Sequence, residues 1–441
     1  MLLLLILNKA EEIKSPFPSH HQLFITRSCF MSNFSRRNFL RTSAAGSAVL
    51  TFGGLAPSAL QAAAEQSKSD RILVVIELQG GNDGLNTVIP VGDEIYRKLR
   101  PKLAIAKNAA LEIADGLAFH SSLRGFADLL EAGRLAIIQG VGYPDPNRSH
   151  FESMDIWHTC QRSTENRPDG WLGRMLEQTA NGSGGDPTAL HLGHDKQPFA
   201  LMSRDVRVPS IRSLEQFRLQ GTDDAQFRKA VEELTAARRG DGNDLLNFVQ
   251  SSTSSAIAAS ERLNSSVKSY ASSVTYPKNG LGEQLQTVAK LISSGLNTSV
   301  YYVTLNGFDT HSQQPDAHAG LLRQLGDSVK AFLDDMDHLK HSDRVAVMCF
   351  SEFGRRVEEN ASQGTDHGTA GPMFIAGSAA KPGLIGKLPS LRNLQDGDLR
   401  HHTDFRQVYA AVIQNWFHCE SEPILKGKFA PIDIFATTAN G

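Results

Sequence analysis

Aspartate and histidine recur together in short glycine-bearing stretches of this chain. Gly364-Thr365-Asp366-His367-Gly368 is one, and Gly307-Phe308-Asp309-Thr310-His311 is another. A carboxylate oxygen beside an imidazole nitrogen is a donor set for a divalent cation. Asp309 and His311 stand two apart, so in an extended turn both side chains can face one ion. A further carboxylate, Asp83, lies in Gly80-Gly81-Asn82-Asp83-Gly84. Ser149, preceded by Arg148, follows the stretch Pro144-Asp145-Pro146-Asn147 and opens a helical segment. A serine at a helix N-terminus meets free backbone N–H groups and the positive end of the dipole, which favours an alkoxide and an anionic substrate. Arg148 beside it can hold an oxyanion bidentately. The plainer alternatives are tight turns that need Gly and Asn, and a serine that only caps its helix.

The elements that must position these residues are legible as unbroken apolar runs. Residues 71–79, 135–141, 299–305 and 345–350 are short, rich in β-branched and aromatic residues, and predict buried strands. A further strand is expected at 373–376. In an open α/β sheet, ligands sit just past the carboxyl ends of the strands. Asp83, Ser149, Asp309 with His311, and Glu352 with Asp366 and His367 all follow such ends. Helical apolar spacing marks 120–132, 282–292, 319–339 and 404–417, the last capped by Thr403 or Asp404. A short β-like piece is expected at 199–202. From about 170 to 280 the chain turns polar, Ser-rich and poor in large apolar residues, with surface helices expected at 226–238 and 244–272. That reads as a helical insertion. The fold class expected is therefore α/β: a three-layer α/β/α sandwich with a largely parallel sheet.

The chain has 441 residues with a formal charge of −2, so its composition carries no signal for binding nucleic acid. No G-x-G-x-x-G fingerprint or Walker loop follows the first strand. Its four cysteines, Cys29, Cys160, Cys349 and Cys419, have no paired spacing. A Cys160–Cys419 disulfide stays open.

The N-terminus is read apart from the fold. Ser35-Arg36-Arg37-Asn38-Phe39-Leu40 resembles the twin-arginine export signal. A mildly apolar segment, 42–60, follows, and then Ala62-Ala63-Ala64 as a small-residue cleavage site. Met31 is taken as the true start, with 1–30 a mis-annotated upstream segment and 31–64 the signal peptide. The expected partner is the twin-arginine translocase, and the expected destination is the periplasm or beyond. Membrane contact is expected only if the signal stays uncleaved.

Several stretches carry a wider resemblance over about residues 70–420. They are Leu78-Gln-Gly-Gly-Asn-Asp-Gly-Leu-Asn-Thr87, Gln139 to Phe151, Gly307-Phe-Asp-Thr-His311, Ser351-Glu-Phe-Gly-Arg-Arg356 and Gly364 to Pro372. The chain resembles an uncharacterised bacterial family of twin-arginine-exported, sulfatase-like proteins of the alkaline phosphatase superfamily. The resemblance implies an alkaline phosphatase/sulfatase-like domain over 70–437 and a metal-dependent hydrolase of phosphate or sulfate esters. It implies one or two divalent ions, with Zn, Mn, Mg and Ca not distinguished. Asp83, Asp366 and His367 would hold one ion, with Ser149 bound to it as nucleophile. Asp309 and His311 would hold the second, which in the superfamily takes one further His; His318, His401 and His402 are the candidates. The chain departs from the superfamily in spacing, because its second Asp and His stand two apart and not four. The sulfatase C/S-x-P-x-R setting is absent. The alternative reading is a non-catalytic exported binding protein on a degenerate phosphatase-like fold.

Overall fold

In the computed structural model, residues 70–162, 167–179, 186–193, 196–212 and 270–436 are described. The segment expected as a signal peptide, the residues before it and most of the surface helices expected at 226–238 and 244–272 lie outside them; residues 270–272, which are described, are not helical. A nine-stranded sheet forms the middle layer. Its strands are β1 (Ile72–Gln79), β2 (Leu135–Gly142), β3 (Ala189–Leu192), β4 (Ser210–Ile211), β5 (Val300–Asn306), β6 (Val345–Phe350), β7 (Gly371–Ala376), β8 (Gly383–Ile385) and β9 (Thr403–Asp404). The spatial order is β8-β2-β7-β6-β1-β5-β3-β4, with β9 also paired to β2. Only β7 runs against its neighbours, β2 and β6; every other pairing is parallel.

β1 shows why this is a three-layer structure. Ile72, Val74, Ile76 and Leu78 enter one apolar core, and Leu73 and Val75 enter the other. Alternate side chains of a strand point to opposite faces, so a strand apolar at both parities must be covered twice. The first face is covered by α1 (Arg124–Glu131), α4 (Gly280–Ser293) and α5 (Gln314–His338). The second is covered by α2 (His150–Thr159), α3 (Trp171–Thr179) and α6 (Phe405–Ala411). Asp404 caps α6 in a reciprocal capping box with Gln407. Among the described residues no helix is long and apolar enough to cross a membrane.

Two local expectations are corrected. Residues Phe199–Leu201 form a 3-10 turn, not a strand, and the sheet edge is built instead from β3 and β4. These two strands are too short to show a period. The stretch expected as an insertion also begins inside the core, because Trp171, Leu172, Met175 and Leu176 of α3 are buried against the second face. Cys160, Cys349 and Cys419 are free thiols.

The loops at the carboxyl edge are fastened by Arg355, a fully buried guanidinium. Its Nε donates to the Gly81 carbonyl at 2.8 Å and its Nη1 to the Thr365 carbonyl at 2.8 Å. Its Nη2 donates to the carbonyls of Gly80 and Phe308 and, at 2.6 Å, to Asp309 Oδ1. The loops after β1, β5 and β6 are thus held by one side chain. Gly80 allows the approach: its φ is +119°, and a Cβ there would lie 2.3 Å from the Asp309 nitrogen.

A second buried polar layer lies under these loops. The Asp83 carboxylate is fully buried and paired to Arg100 at 2.6 Å, and the Gln314 amide donates to the same oxygen. Burial works to raise the Asp83 pKa, but the Arg100 charge and these hydrogen bonds outweigh it and hold the group below its ordinary value. Arg100 also donates to Asn86 Oδ1 and to the Val357 and Arg356 carbonyls. Gln314 Oε1 accepts from the Thr365 hydroxyl at 2.6 Å. Asp83, expected as a metal ligand, is here ion-paired to Arg100 through Oδ2, while its Oδ1 is buried without a hydrogen-bond partner. His318 is buried as well, with Nε2 3.0 Å from Asn82 Oδ1.

Arg355→Met removes every one of its donors while leaving their buried carbonyls in place. The expected loss is about 3 kcal/mol or more of unfolding free energy, read from urea midpoints. His318 gives a pH dependence. Burial lowers its pKa from 6.5 to about 4, so the unfolded chain binds a proton that the folded chain refuses. Stability should therefore fall as pH drops from about 6.5 to about 4, and His318→Gln should flatten that part of the profile. An unchanged slope in the variant would refute this.

Candidate metal centre

Three imidazoles meet at the carboxyl edge of the sheet, each delivered by a different loop. His150 is the first residue of α2, following β2. His311 follows β5, and His367 lies between β6 and β7. Trp157 anchors α2 by stacking on Phe405, with ring centroids 4.3 Å apart, and Ser153 Oγ donates to the Glu352 carbonyl at 2.6 Å. Gly364 lets the His367 loop close against the His311 backbone, since a Cβ there would lie 2.2 Å from the His311 carbonyl carbon.

The Nε2 atoms converge on one carboxylate oxygen. Asp309 Oδ1 lies 3.1 Å from His311 Nε2, 3.1 Å from His367 Nε2 and 3.4 Å from His150 Nε2. His311 Nε2 and His367 Nε2 are 2.9 Å apart. Donor atoms about 2.0–2.1 Å from a zinc-like ion in tetrahedral array lie about 3.3 Å from one another. These separations are of that size.

The opposite ring nitrogens explain the convergence. His150 Nδ1 is 2.8 Å from Glu352 Oε1, His311 Nδ1 is 3.1 Å from Asp366 Oδ1, and His367 Nδ1 is 2.8 Å from the Arg148 carbonyl. All three partners are acceptors, so each neutral ring carries its hydrogen on Nδ1 and turns the Nε2 lone pair inward. Three lone pairs and an anionic oxygen then face one another. His150 Nε2 is buried without a hydrogen-bond partner. His150, Asp309 and His367 form a group that could hold a divalent ion, and His311 Nε2 stands 3.1 Å from the same Asp309 oxygen.

The electrostatics agree. Asp309 is held down at about 2: burial would raise it, but the Arg355 and His367 hydrogen bonds outweigh that cost. The Glu352 hydrogen bond raises the His150 pKa, and burial lowers that of His367. The Asn360 amide, followed by His311, lowers that of Asp366.

The expected residues divide as follows. Asp309, His311 and His367 are brought together. Asp366 stands behind His311 as its orienting carboxylate, where direct ligation was expected. Asp83 lies in the buried pair with Arg100. Arg148 contributes its backbone carbonyl to His367, while its guanidinium is taken by Asp398, with Nε 2.7 Å from Oδ2. Ser149 is exposed at the N-cap of α2, with no side-chain capping bond. His318 is bound to Asn82, and the His402 N–H donates to the Gly140 carbonyl. The third imidazole is His150, which sequence reasoning passed over in favour of the serine beside it. The missed signal was its position, because every other histidine of the cluster also follows a strand end.

No curated protein matches the chain. Among solved structures it is similar to the lipoteichoic acid synthase LtaP from Listeria monocytogenes, with 9% identity over 76% of this chain and 75% of that one and a TM-score of 0.36. It is similar to the PsFucS1 sulfatase from Pseudoalteromonas sp., with 10% identity, 85% and 72% coverage and a TM-score of 0.39. The C-terminal periplasmic domain of EcEptC from Escherichia coli, in complex with Zn, gives 10% identity, 71% and 74% coverage and a TM-score of 0.35. All three likenesses are distant. The model of a family described as "Protein of unknown function (DUF1501)" matches residues 70–424, most of the chain, which therefore belongs to the DUF1501 family.

Proposed function

We propose that the protein is an exported, metal-dependent hydrolase of phosphate or sulfate esters, centred on one divalent ion held by His150, Asp309, His311 and His367. The observation that carries this is the convergence of three inward-facing imidazole lone pairs on Asp309 Oδ1. Bound there, a divalent ion would polarise an ester oxygen and ease deprotonation of an attacking hydroxyl. Ser149 is the proposed nucleophile. Its hydroxyl is not spent on a cap, its backbone is extended, and it directly precedes His150 at the N-terminus of a ten-residue helix. Glu352 and Asp366 are positioning residues, since each holds a ring and leaves its reactive nitrogen free. For Arg148 to hold a substrate oxyanion it would have to release Asp398. Export by the twin-arginine route is part of the proposal and rests on residues 35–40.

One observation favours the second reading, a non-catalytic centre. Four protein ligands would close a tetrahedral ion, whereas catalytic zinc keeps one position open. Turnover decides between the two.

The purified chain should bind one equivalent of a divalent metal. Glu352→Gln should weaken that affinity about 10- to 100-fold without unfolding the protein, measured by competition with a chromophoric chelator. A well-folded chain that takes up no metal would sink the proposal. Ser149→Ala should keep its metal and lose ester turnover on the order of a thousandfold. Undiminished turnover in that variant would remove the serine and leave a solvent nucleophile.

A further inference from the structure

A cavity of about 450 Å³ opens beside the cluster, and His150 and Glu352 line both. It lies past the carboxyl ends of β1 and β5, against the start of α2. Phe151, Met154, Pro198, Phe199 and Met202 give it an apolar wall. Phe151 is 87% exposed and Met202 44%; with Leu388 they are the large apolar side chains left exposed among the described residues. Two of these three line the one cavity, and apolar exposure grouped in this way marks a binding surface.

Two of the carboxylates that line it are already engaged. Glu352 accepts from the Gly80 N–H at 2.9 Å and contacts His150, and Glu77 is bound by the Tyr302 hydroxyl and by His158 Nε2. Asp155, whose carboxylate lies 3.8 Å from Arg167, and the exposed Lys196 also line the cavity. An exposed phenyl ring and a thioether lining the same cavity suit a flat ring, because sulfur and aromatic edges attract.

We propose that this cavity receives the ring-bearing, apolar alcohol portion of the ester, while its anionic head meets the metal cluster. The inference rests on the hydrolase reading and adds the class of substrate. Esters of small polar alcohols would leave Phe151 and Met202 in water and bind less well.

The test is calorimetric and needs no turnover. The full chain with one equivalent of zinc is titrated with 2-phenylethylphosphonate and ethylphosphonate, and with the matching sulfonates. The two members of each pair share a head group and differ by the ring. The ring-bearing member of at least one pair should bind about tenfold tighter or better. Phe151→Ala combined with Met202→Ser should bring that ratio to within about twofold and leave the affinity for the ethyl compound unchanged. Both side chains are exposed, so the variant should fold as the parent does. Equal affinities within each pair, or a ratio that survives in the variant, would overturn the cavity assignment and leave the hydrolase reading standing. No binding of any of the four would overturn the hydrolase reading and this inference with it.

Discussion

One buried guanidinium holds the functional edge of this protein together. Arg355 reaches carbonyls in the loops after β1, β5 and β6, and its remaining contact is the carboxylate oxygen on which the imidazoles converge. A buried charge is costly unless every donor is met. The loops therefore cannot shift independently without leaving Arg355 unpaired. The same contact keeps Asp309 ionised and its oxygen in place. Placement of the ligands is thus coupled to the stability of the edge, because a movement that spoiled the cluster would also break buried hydrogen bonds.

The carboxylates near the edge share a residue type but not a role, and what separates them is the partner. Asp83 is locked to Arg100 beneath the loops. Asp366 and Glu352 each face an imidazole Nδ1 and set its tautomer. Asp309 alone faces the Nε2 atoms. Asp83 has a guanidinium and an amide on one oxygen in a fully buried setting, apart from the imidazoles. The apolar cavity beside His150 completes the picture of an edge with a polar focus and a hydrophobic flank.

Much of the architecture was legible. The runs at 71–79, 135–141, 299–305 and 345–350 are long and unbroken enough to declare buried strands, and four such strands separated by helical spacing leave few arrangements other than a layered α/β fold. Asp309 and His311 follow closely on the end of β5, and His367 lies in the loop between β6 and β7, so the strands bring these residues to one edge of the sheet. The edge strands β3 and β4 were not legible. They are short, and their sheet membership depends on β5 being present to pair with.

The sequence alone named several residues that could bind a cation and placed them after strand ends, since residue type and position relative to a strand are local properties. Only the tertiary structure decided which of them stand together. Whether a carboxylate becomes a ligand, an orienting group or half of an ion pair depends on what stands opposite it. For Asp83 that is Arg100, for Asp366 it is His311, and for Asp309 it is Arg355 with three imidazoles. His150 shows the same limit. Its ring reaches the cluster because α2 is anchored through Ser153 to Glu352 and through Trp157 to Phe405, both far along the chain, a relation that no local spacing encodes.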